Sequence, residues 1–440
     1  MKMDEIPRRV HFVGIGGVGM SGLAQHLHNL GYVVTGSDRT ESERTVALRK
    51  LGIEVHIGHN ADNVSNAEMV VRTSAVHTDN VEVATAMKQI TPVVLREQLL
   101  GAIFNSFPTR VAVCGTHGKT TVTAMIHEIL KRANVSHTAL IGGVYRGNNY
   151  YCGSGVVVAE ACEFNRSFLN LQPTVCVCLN AEYDHPDCYQ DKEDARKAYA
   201  EFMRNTSEDG YVVLPYNLRS LCPYRKRVYY DKKAQATNVQ LIDGKPSFNL
   251  VCDDGTRDTM QLGVLGSHNV NNALAAIAVA RLLNVPFSAV KDALCAFEGV
   301  DRRWTERKVS GLGRVVVDYA HHPTELACSV ATARSITNGK VVCIFQPHTY
   351  SRTYAFFDEF ATCFQDADLV AYLPIYSARE KPLAGVNSYL LAERARELNV
   401  NAVFCSDFEA AKHWIRGVVT ADDVLLILGA GDVCELADML

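Results

Sequence analysis

The chain has 440 residues, of which 48% are hydrophobic and 21% charged, a mix that supports packed cores and excludes extended disorder. At about 150 residues per domain, this length predicts about three domains. The formal net charge of −4 leaves no electrostatic footprint for nucleic acid or an anionic membrane surface.

The 14 cysteines stand singly, the closest pair being Cys176 and Cys178, so neither a secreted disulfide framework nor finger-type zinc spacing is expected. No signal-peptide segment opens the chain and no apolar run is long enough to span a bilayer, which predicts a cytoplasmic protein without membrane insertion. Residues 10–13 read as a buried strand. The turn Gly14-Ile15-Gly16-Gly17-Val18-Gly19 then leads into a helix that Gly31 caps. Further strands are expected at 32–35, 54–57, 69–72 and 93–95, an alternation that predicts a compact unit with a mostly parallel sheet. Residues 105–109 read as a linker.

A second unit starts with a strand at 110–114, a glycine loop and a helix whose Val122, Met125, Ile126, Ile129 and Leu130 form one core-facing stripe. Strands at 155–159, 175–179 and 211–214 continue it. Residues 222–265 read as a hairpin-rich insertion with turns at Asp243-Gly244 and Asp254-Gly255, and 270–283 as a buried helix. A third unit carries strands at 314–318, 341–345, 369–372, 402–404 and 424–428. The prediction is an α/β protein of three domains, 1–107, 108–310 and 311–440. The first and last are Rossmann-like, and the central one is a P-loop ATPase-like domain.

Gly115-Thr116-His117-Gly118-Lys119-Thr120-Thr121 lies between a strand and a helix. Small residues there let backbone N–H groups converge on phosphate oxygens at a helix N-terminus. Lys119 is placed to reach the β- and γ-phosphates and Thr120 to ligate Mg²⁺. Gly14, Gly16 and Gly19, with Asp38 downstream, make a second phosphate-binding turn. A dinucleotide and a UDP-sugar both carry a pyrophosphate and a ribose, so that motif does not choose between them. Glu160-Ala161-Cys162-Glu163 and Asp184-His185-Pro186-Asp187 follow strand ends, where open α/β sheets bind ligands. Glu160 supplies the hard oxygen that Mg²⁺ prefers, whereas His185 is an unusual ligand for it.

These motifs resemble those of the Mur ligases, and within them the members that add L-alanine to UDP-N-acetylmuramate. The resemblance runs through His11-Phe12-Val13-Gly14 and the helix after it, residues 115–121, 160–163 and 180–185, Gly266-Ser267-His268-Asn269, Gly299-Val300-Asp301-Arg302-Arg303, Asp318-Tyr319-Ala320-His321-His322-Pro323 and Phe345-Gln346-Pro347-His348. It implies ATP and Mg²⁺ as cofactors, with UDP-N-acetylmuramate and L-alanine as partners and a monomer or homodimer as the working form. It also implies roles. Gly115, Thr116, His117, Gly118, Lys119, Thr120 and Thr121 would hold ATP phosphates, while His268, Asn269, Asn272 and Asp318 would contact the nucleoside. Gly14, Gly16, Gly17, Gly19 and Asp38 would belong to the UDP pocket. Thr120, Glu160 and His185 would form the metal shell, and Lys119, His322 and Arg352 would be catalytic.

Four positions depart from the family pattern. Cys162 and Val317 stand where relatives carry aspartate, Thr349 stands where an arginine is common, and Tyr199 stands where sister ligases carry a carbamylated lysine. The chemistry implied is phosphorylation of the muramoyl carboxylate followed by attack of the alanine amine, with His322 as the expected base. Removing the Lys119 ammonium is then expected to cost rate heavily and leave the fold intact. Two rivals remain open: a recycling ligase that adds a tripeptide, and a nucleotide-sensing protein with a vestigial ATP loop; a folate-type glutamate ligase would share the ATP loop but should lack the Gly14–Gly19 domain.

Overall fold

The computed structural model describes residues 1–440. By proximity they form two units. The first holds Met1–Ala181, Arg196–Lys233 and Ala275–Ala293, and the second holds Glu182–Ala195, Ala234–Leu274 and Leu294–Leu440. No helix is long and apolar enough to cross a membrane.

The first unit contains two sheets. Strands β1 (Arg9–Val13), β2 (Val33–Asp38), β3 (Glu54–Ile57), β4 (Met69–Arg72) and β5 (Val93–Leu95) form a parallel sheet in the order β3-β2-β1-β4-β5. β1 is central and buried from Val10 to Val13, as expected of a strand covered on both faces. Strand order reverses beside it, and the crevice at the carboxyl end of such a strand is where open α/β sheets take ligands. The glycine turn follows β1 directly at that end.

Strands β6 (Thr109–Cys114), β7 (His137–Tyr145), β8 (Asn148–Tyr151), β9 (Val156–Glu160), β10 (Val175–Cys178), β11 (Tyr211–Leu214) and β12 (Arg227–Tyr229) form the other sheet, in the order β12-β11-β10-β6-β9-β7-β8. Only β8 runs antiparallel to its neighbour. The sequence reading missed β7, β8 and β12: Gly142-Gly143 interrupts the apolar run of β7, and β12 is three residues long. β9 also begins one residue later than expected and so ends on Glu160.

The helix Lys119–Arg132 buries more than the predicted stripe, because Thr123, Ala124, His127 and Glu128 are also covered. The β7–β8 hairpin covers them. The Tyr145 hydroxyl donates to Glu128 Oε2 at 2.9 Å, and Tyr151 stacks on His127 with ring centroids 3.9 Å apart.

The second unit contains the antiparallel meander β13 (Ala234–Ile242), β14 (Lys245–Cys252) and β15 (Arg257–Gln261). The turns fall where expected, with Asp243 at φ 50°, Gly244 at φ 75° and Gly255 at φ 90°. Positive φ at both central residues matches the twist of a two-residue hairpin.

Its larger sheet joins β16 (Thr305–Arg307), β17 (Arg314–Asp318), β18 (Val341–Phe345), β19 (Leu369–Tyr372), β20 (Ala402–Phe404) and β21 (Val424–Leu428), in the order β16-β17-β21-β18-β19-β20. All pairs but β16–β17 are parallel. Alternate residues feed two cores. Val316, Phe345 and Tyr372 face one, and Val315, Val317, Ile344 and Leu425 face the other. The departure at Val317 is therefore an apolar residue used to fill a core. The fold class is α/β with mostly parallel sheets, as the sequence predicted.

Candidate active site

Cys114 ends β6, and the chain turns through Gly115 at φ 139° and Gly118 at φ 83° before the helix begins at Lys119. Gly118 caps that helix in the left-handed region, which glycine enters without strain. Gly115 is needed for a second reason: a Cβ there would lie 3.1 Å from Leu179 Cβ and 3.2 Å from the Asn180 amide nitrogen. Asn180 pins the loop from both sides. Its Oδ1 accepts from the His117 amide at 2.9 Å, and its Nδ2 donates to the His117 carbonyl at 3.1 Å. Thr116 and Thr120 are buried, while Thr121 in the first turn is half-buried.

The Lys119 ammonium is folded onto its own loop. It donates to the carbonyls of Gly115 at 2.5 Å and Thr116 at 3.0 Å, and pairs with Glu163 at 2.9 Å. Burial disfavours its charge, but the adjacent Glu163, and beyond it Cys162 and Glu160, overcome that and hold its pKa well above the ordinary lysine value. The same burial, together with Glu163, pushes the Cys162 thiol up to about 11, so Cys162 is protonated and inert at neutral pH. Glu163 was within a quoted motif but had no assigned role. Its signal was positional, an acid three residues beyond the strand-end Glu160.

Tyr199 is fully buried and its hydroxyl lies 3.3 Å from Thr116 Oγ1. Burial and the nearby Glu163 carry its pKa well above 10. The residue that replaces a lysine in the sister ligases is therefore a neutral phenol buttressing the loop.

Glu160 ends β9, and its Oε1 accepts from the Gly142 amide at 2.6 Å. A Cβ at Gly142 would fall 2.5 Å from Glu160 Oε2, so a side chain there would push the carboxylate from this position. The Thr120 hydroxyl and Glu160 carboxylate share the first unit, and such hard oxygens fit Mg²⁺. His185 belongs to the second unit. It stands at φ 56°, and its amide donates to Asp184 Oδ1 at 2.7 Å.

In the N-terminal turn, Gly14 has φ 82°. The amides of Gly14 and Ile15 both donate to the Ser37 carbonyl, at 2.8 and 2.9 Å. Asp38 is turned onto the loop, its Oδ2 accepting from the Gly16 amide at 2.9 Å. Gly17 caps the helix Val18–Asn29, and Gly19 lies in its first turn. A Cβ on Gly19 would sit 3.0 Å from Arg96 Nη1. The structure brings this set together on one turn and places Arg96 beside it; the sequence offered no means of finding Arg96.

In the second unit, Asp318 ends β17. Its Oδ2 accepts from Ser329 Oγ at 2.9 Å and its Oδ1 from the Ala320 amide at 3.2 Å. Burial pushes its pKa up to about 6. Arg302 and Arg303 flank Tyr319, their guanidinium carbons 4.9 and 5.1 Å from the ring centroid. At the start of the helix His268–Leu282, His268 is exposed. Asn269 donates to the Leu265 carbonyl at 2.7 Å and accepts from Asn272 at 2.8 Å.

His322 is placed differently from the expected base. It caps the helix Pro323–Arg334 with Nδ1 accepting from the Thr324 amide at 3.3 Å, which leaves Nε2–H to donate to the Tyr183 carbonyl at 3.2 Å. Both nitrogens are occupied in this neutral tautomer. Arg352 is also committed, forking onto Asp184 with Nε–Oδ1 at 2.8 Å and Nη2–Oδ2 at 3.2 Å. Burial pushes the Asp184 carboxyl up, but Arg352 outweighs it and holds the acid far below the usual carboxylate range. The remaining nitrogen, Nη1, lies 3.1 Å from His348 Nδ1. Thr349, where an arginine is common in the family, sits at φ 67°, a strained conformation for a β-branched residue.

Comparison with known proteins extends these local features to the whole chain. Residues 9–108 match the model for the Mur ligase family catalytic domain, 113–280 the Mur ligase middle domain and 302–431 the Mur ligase glutamate ligase domain. The chain belongs to the Mur ligase family. This Mur ligase is 38% identical over 444 residues to a UDP-N-acetylmuramate–L-alanine ligase of Clostridium novyi, covering 98% of this chain and 97% of that one. Among solved structures it is similar to a UDP-N-acetylmuramate–alanine ligase from Thermotoga maritima, with a TM-score of 0.82, 31% identity and coverage of 98% and 97%. A murein peptide ligase from Psychrobacter arcticus has a TM-score of 0.75 at 21% identity, covering 99% and 98%, and shares the fold.

Proposed function

We propose that this Mur ligase joins L-alanine to UDP-N-acetylmuramate at the expense of ATP, as a cytoplasmic step of peptidoglycan precursor synthesis. The observation that carries the reading is end-to-end similarity to an alanine-adding ligase, 38% over 98% of the chain, in a chain that keeps Lys119 at the start of the helix after β6 and Glu160 at the end of β9. We further propose three working domains, 1–107 for the UDP group, 108–310 for ATP and 311–440 for closure over the reacting groups.

A carboxylate is a poor electrophile toward an amine. In the proposed route the muramoyl carboxylate oxygen attacks the γ-phosphorus, the bond to ADP breaks, and an acyl phosphate forms. The uncharged alanine amine then attacks the acyl carbon, phosphate leaves, and the amine gives up a proton. The glycine loop amides and the Lys119 ammonium neutralise and orient the phosphates, so rate comes from positioning and charge rather than from a protein nucleophile. Thr120, Glu160 and His185 would hold Mg²⁺, which would add further charge neutralisation at the phosphates. Asp318, His268, Asn269 and Asn272 would contact the nucleoside, and Gly14, Gly16, Gly17, Gly19 and Asp38 the UDP group. For Arg352 to meet a substrate carboxylate it must use the Nη1 edge, since the other is held by Asp184. His322 can act as base only after Nδ1 releases the Thr324 amide, because Nε2 carries the proton given to Tyr183.

The acyl phosphate has an isotopic signature. With ¹⁸O in the muramoyl carboxylate, one label per turnover is expected in the released phosphate, read by mass spectrometry. Unlabelled phosphate would rule out attack by that carboxylate.

A further inference from the structure

The helix Val18–Asn29 starts at the N-terminal glycine turn. In its first turn the Met20 and Ser21 amides return to the Gly17 carbonyl, so Val18 and Gly19 supply the N–H groups that a helix leaves for an anion. What fixes that turn in space is distant in sequence. Asn149, on β8 and buried to 7% exposure, donates through Nδ2 to the Val18 carbonyl at 2.5 Å and to Ser21 Oγ at 3.2 Å. Ser21 Oγ donates to the same carbonyl at 3.0 Å. The helix packs against the hairpin at Gly22, where a Cβ would lie 3.4 to 3.6 Å from Asn149, Leu140 and Tyr150. Toward the far end of the helix, His26 Nδ1 and the Tyr150 hydroxyl are 3.1 Å apart.

The other strand of the hairpin carries Gly142, whose amide orients Glu160. One hairpin thus grips the first turn of the UDP helix and the carboxylate that would serve the metal. We infer that Asn149 is a positioning residue for the UDP-sugar, registering the Val18–Gly19 donors against the Glu160 edge of the ATP-binding sheet. A packing role alone would not need an amide donor aimed at the carbonyl of the helix's first residue. The inference rests on the proposed UDP site at residues 14–19.

The test compares Asn149→Ala and Asn149→Asp with Tyr150→Phe, which breaks the bond at the other end of the same interface. UDP-N-acetylmuramate affinity is measured by calorimetry, and KM for each substrate by turnover. Asn149→Ala is expected to weaken UDP-N-acetylmuramate binding at least fivefold while KM for ATP stays within twofold. Asn149→Asp is expected to weaken it further, because a carboxylate then faces a carbonyl oxygen. Tyr150→Phe is expected to lower the melting temperature and leave both KM values unchanged. If Tyr150→Phe and Asn149→Ala weaken UDP-sugar binding equally, or Asn149→Ala leaves it unchanged, the positioning role is wrong. If the wild type itself binds no UDP-N-acetylmuramate, the underlying reading of the glycine turn fails instead.

Discussion

Replacing Lys119 with alanine is expected to lower turnover by about a thousandfold or more and, against the sequence-based expectation, to destabilise the protein as well. The first effect follows from losing a preorganised charge aimed at the transferring phosphoryl group, a loss of about 3–4 kcal/mol or more for comparable groups. The second follows from Glu163. Its carboxylate is 3% exposed as a residue and faces the ammonium at 2.9 Å. Breaking a buried ion pair by removing one member costs up to about 3–5 kcal/mol, and Lys119 is the cation bonded to Glu163 here. A low activity in Lys119→Ala therefore mixes chemistry with unfolding. The double substitution Lys119→Met with Glu163→Gln separates them, because a neutral amide no longer needs a counter-ion. Its melting temperature should recover most of the loss, with turnover staying at the level of the single variant. Recovery of turnover along with stability would show that Lys119 serves the fold and not the reaction.

The protein is also expected to be labile in mild acid. Burial holds His26 and His321 at about 4 and His127 and His348 at about 3, and it lowers His137 too. His127 and His137 show why. Their Nδ1 and Nε2 are 2.8 Å apart, and His137 Nδ1 donates to the Val135 carbonyl at 2.7 Å; one of the two facing nitrogens must offer a lone pair, so the rings cannot both be protonated.

For these groups the folded pKa lies below the unfolded value of about 6.5. Their contribution is complete above that value and is lost as pH falls toward 4. Each contributes a slope of up to about 1.4 kcal/mol per pH unit. Asp318 opposes them by about one proton, since its raised pKa favours the folded state at low pH. Unfolding at pH 5 should thus take up on the order of three to four protons. Melting curves between pH 8 and 5, with proton uptake read from the buffer dependence of the calorimetric enthalpy, check this. A melting temperature that is flat from pH 7.5 to pH 5 would contradict it.

The central strands and both glycine loops were legible because they depend on local rules: buried strands read as continuous apolar runs, and a loop before a helix needs glycine where φ is positive. Gly14, Gly115 and Gly118 each obey that rule. Partnerships made across the chain were not legible. Asn180 bonds His117 from 63 residues away, Asp184 takes Arg352 from 168 residues away, and Glu163 claims Lys119 from 44 residues away. Periodicity carries no trace of such pairs. His322 shows the same limit from the other side: a histidine before proline reads equally as a base or a helix cap, and only its two bonds reveal the cap. The β7–β8 hairpin escaped because Gly142-Gly143 breaks the pattern that marks a strand.

The most direct test of the ligase assignment is ADP release from Mg-ATP with UDP-N-acetylmuramate present, measured with and without L-alanine. Release that requires both substrates, with UDP-N-acetylmuramoyl-alanine as the product, is the expected result. Release supported by a tripeptide and not by alanine, or no release with either, would contradict the account.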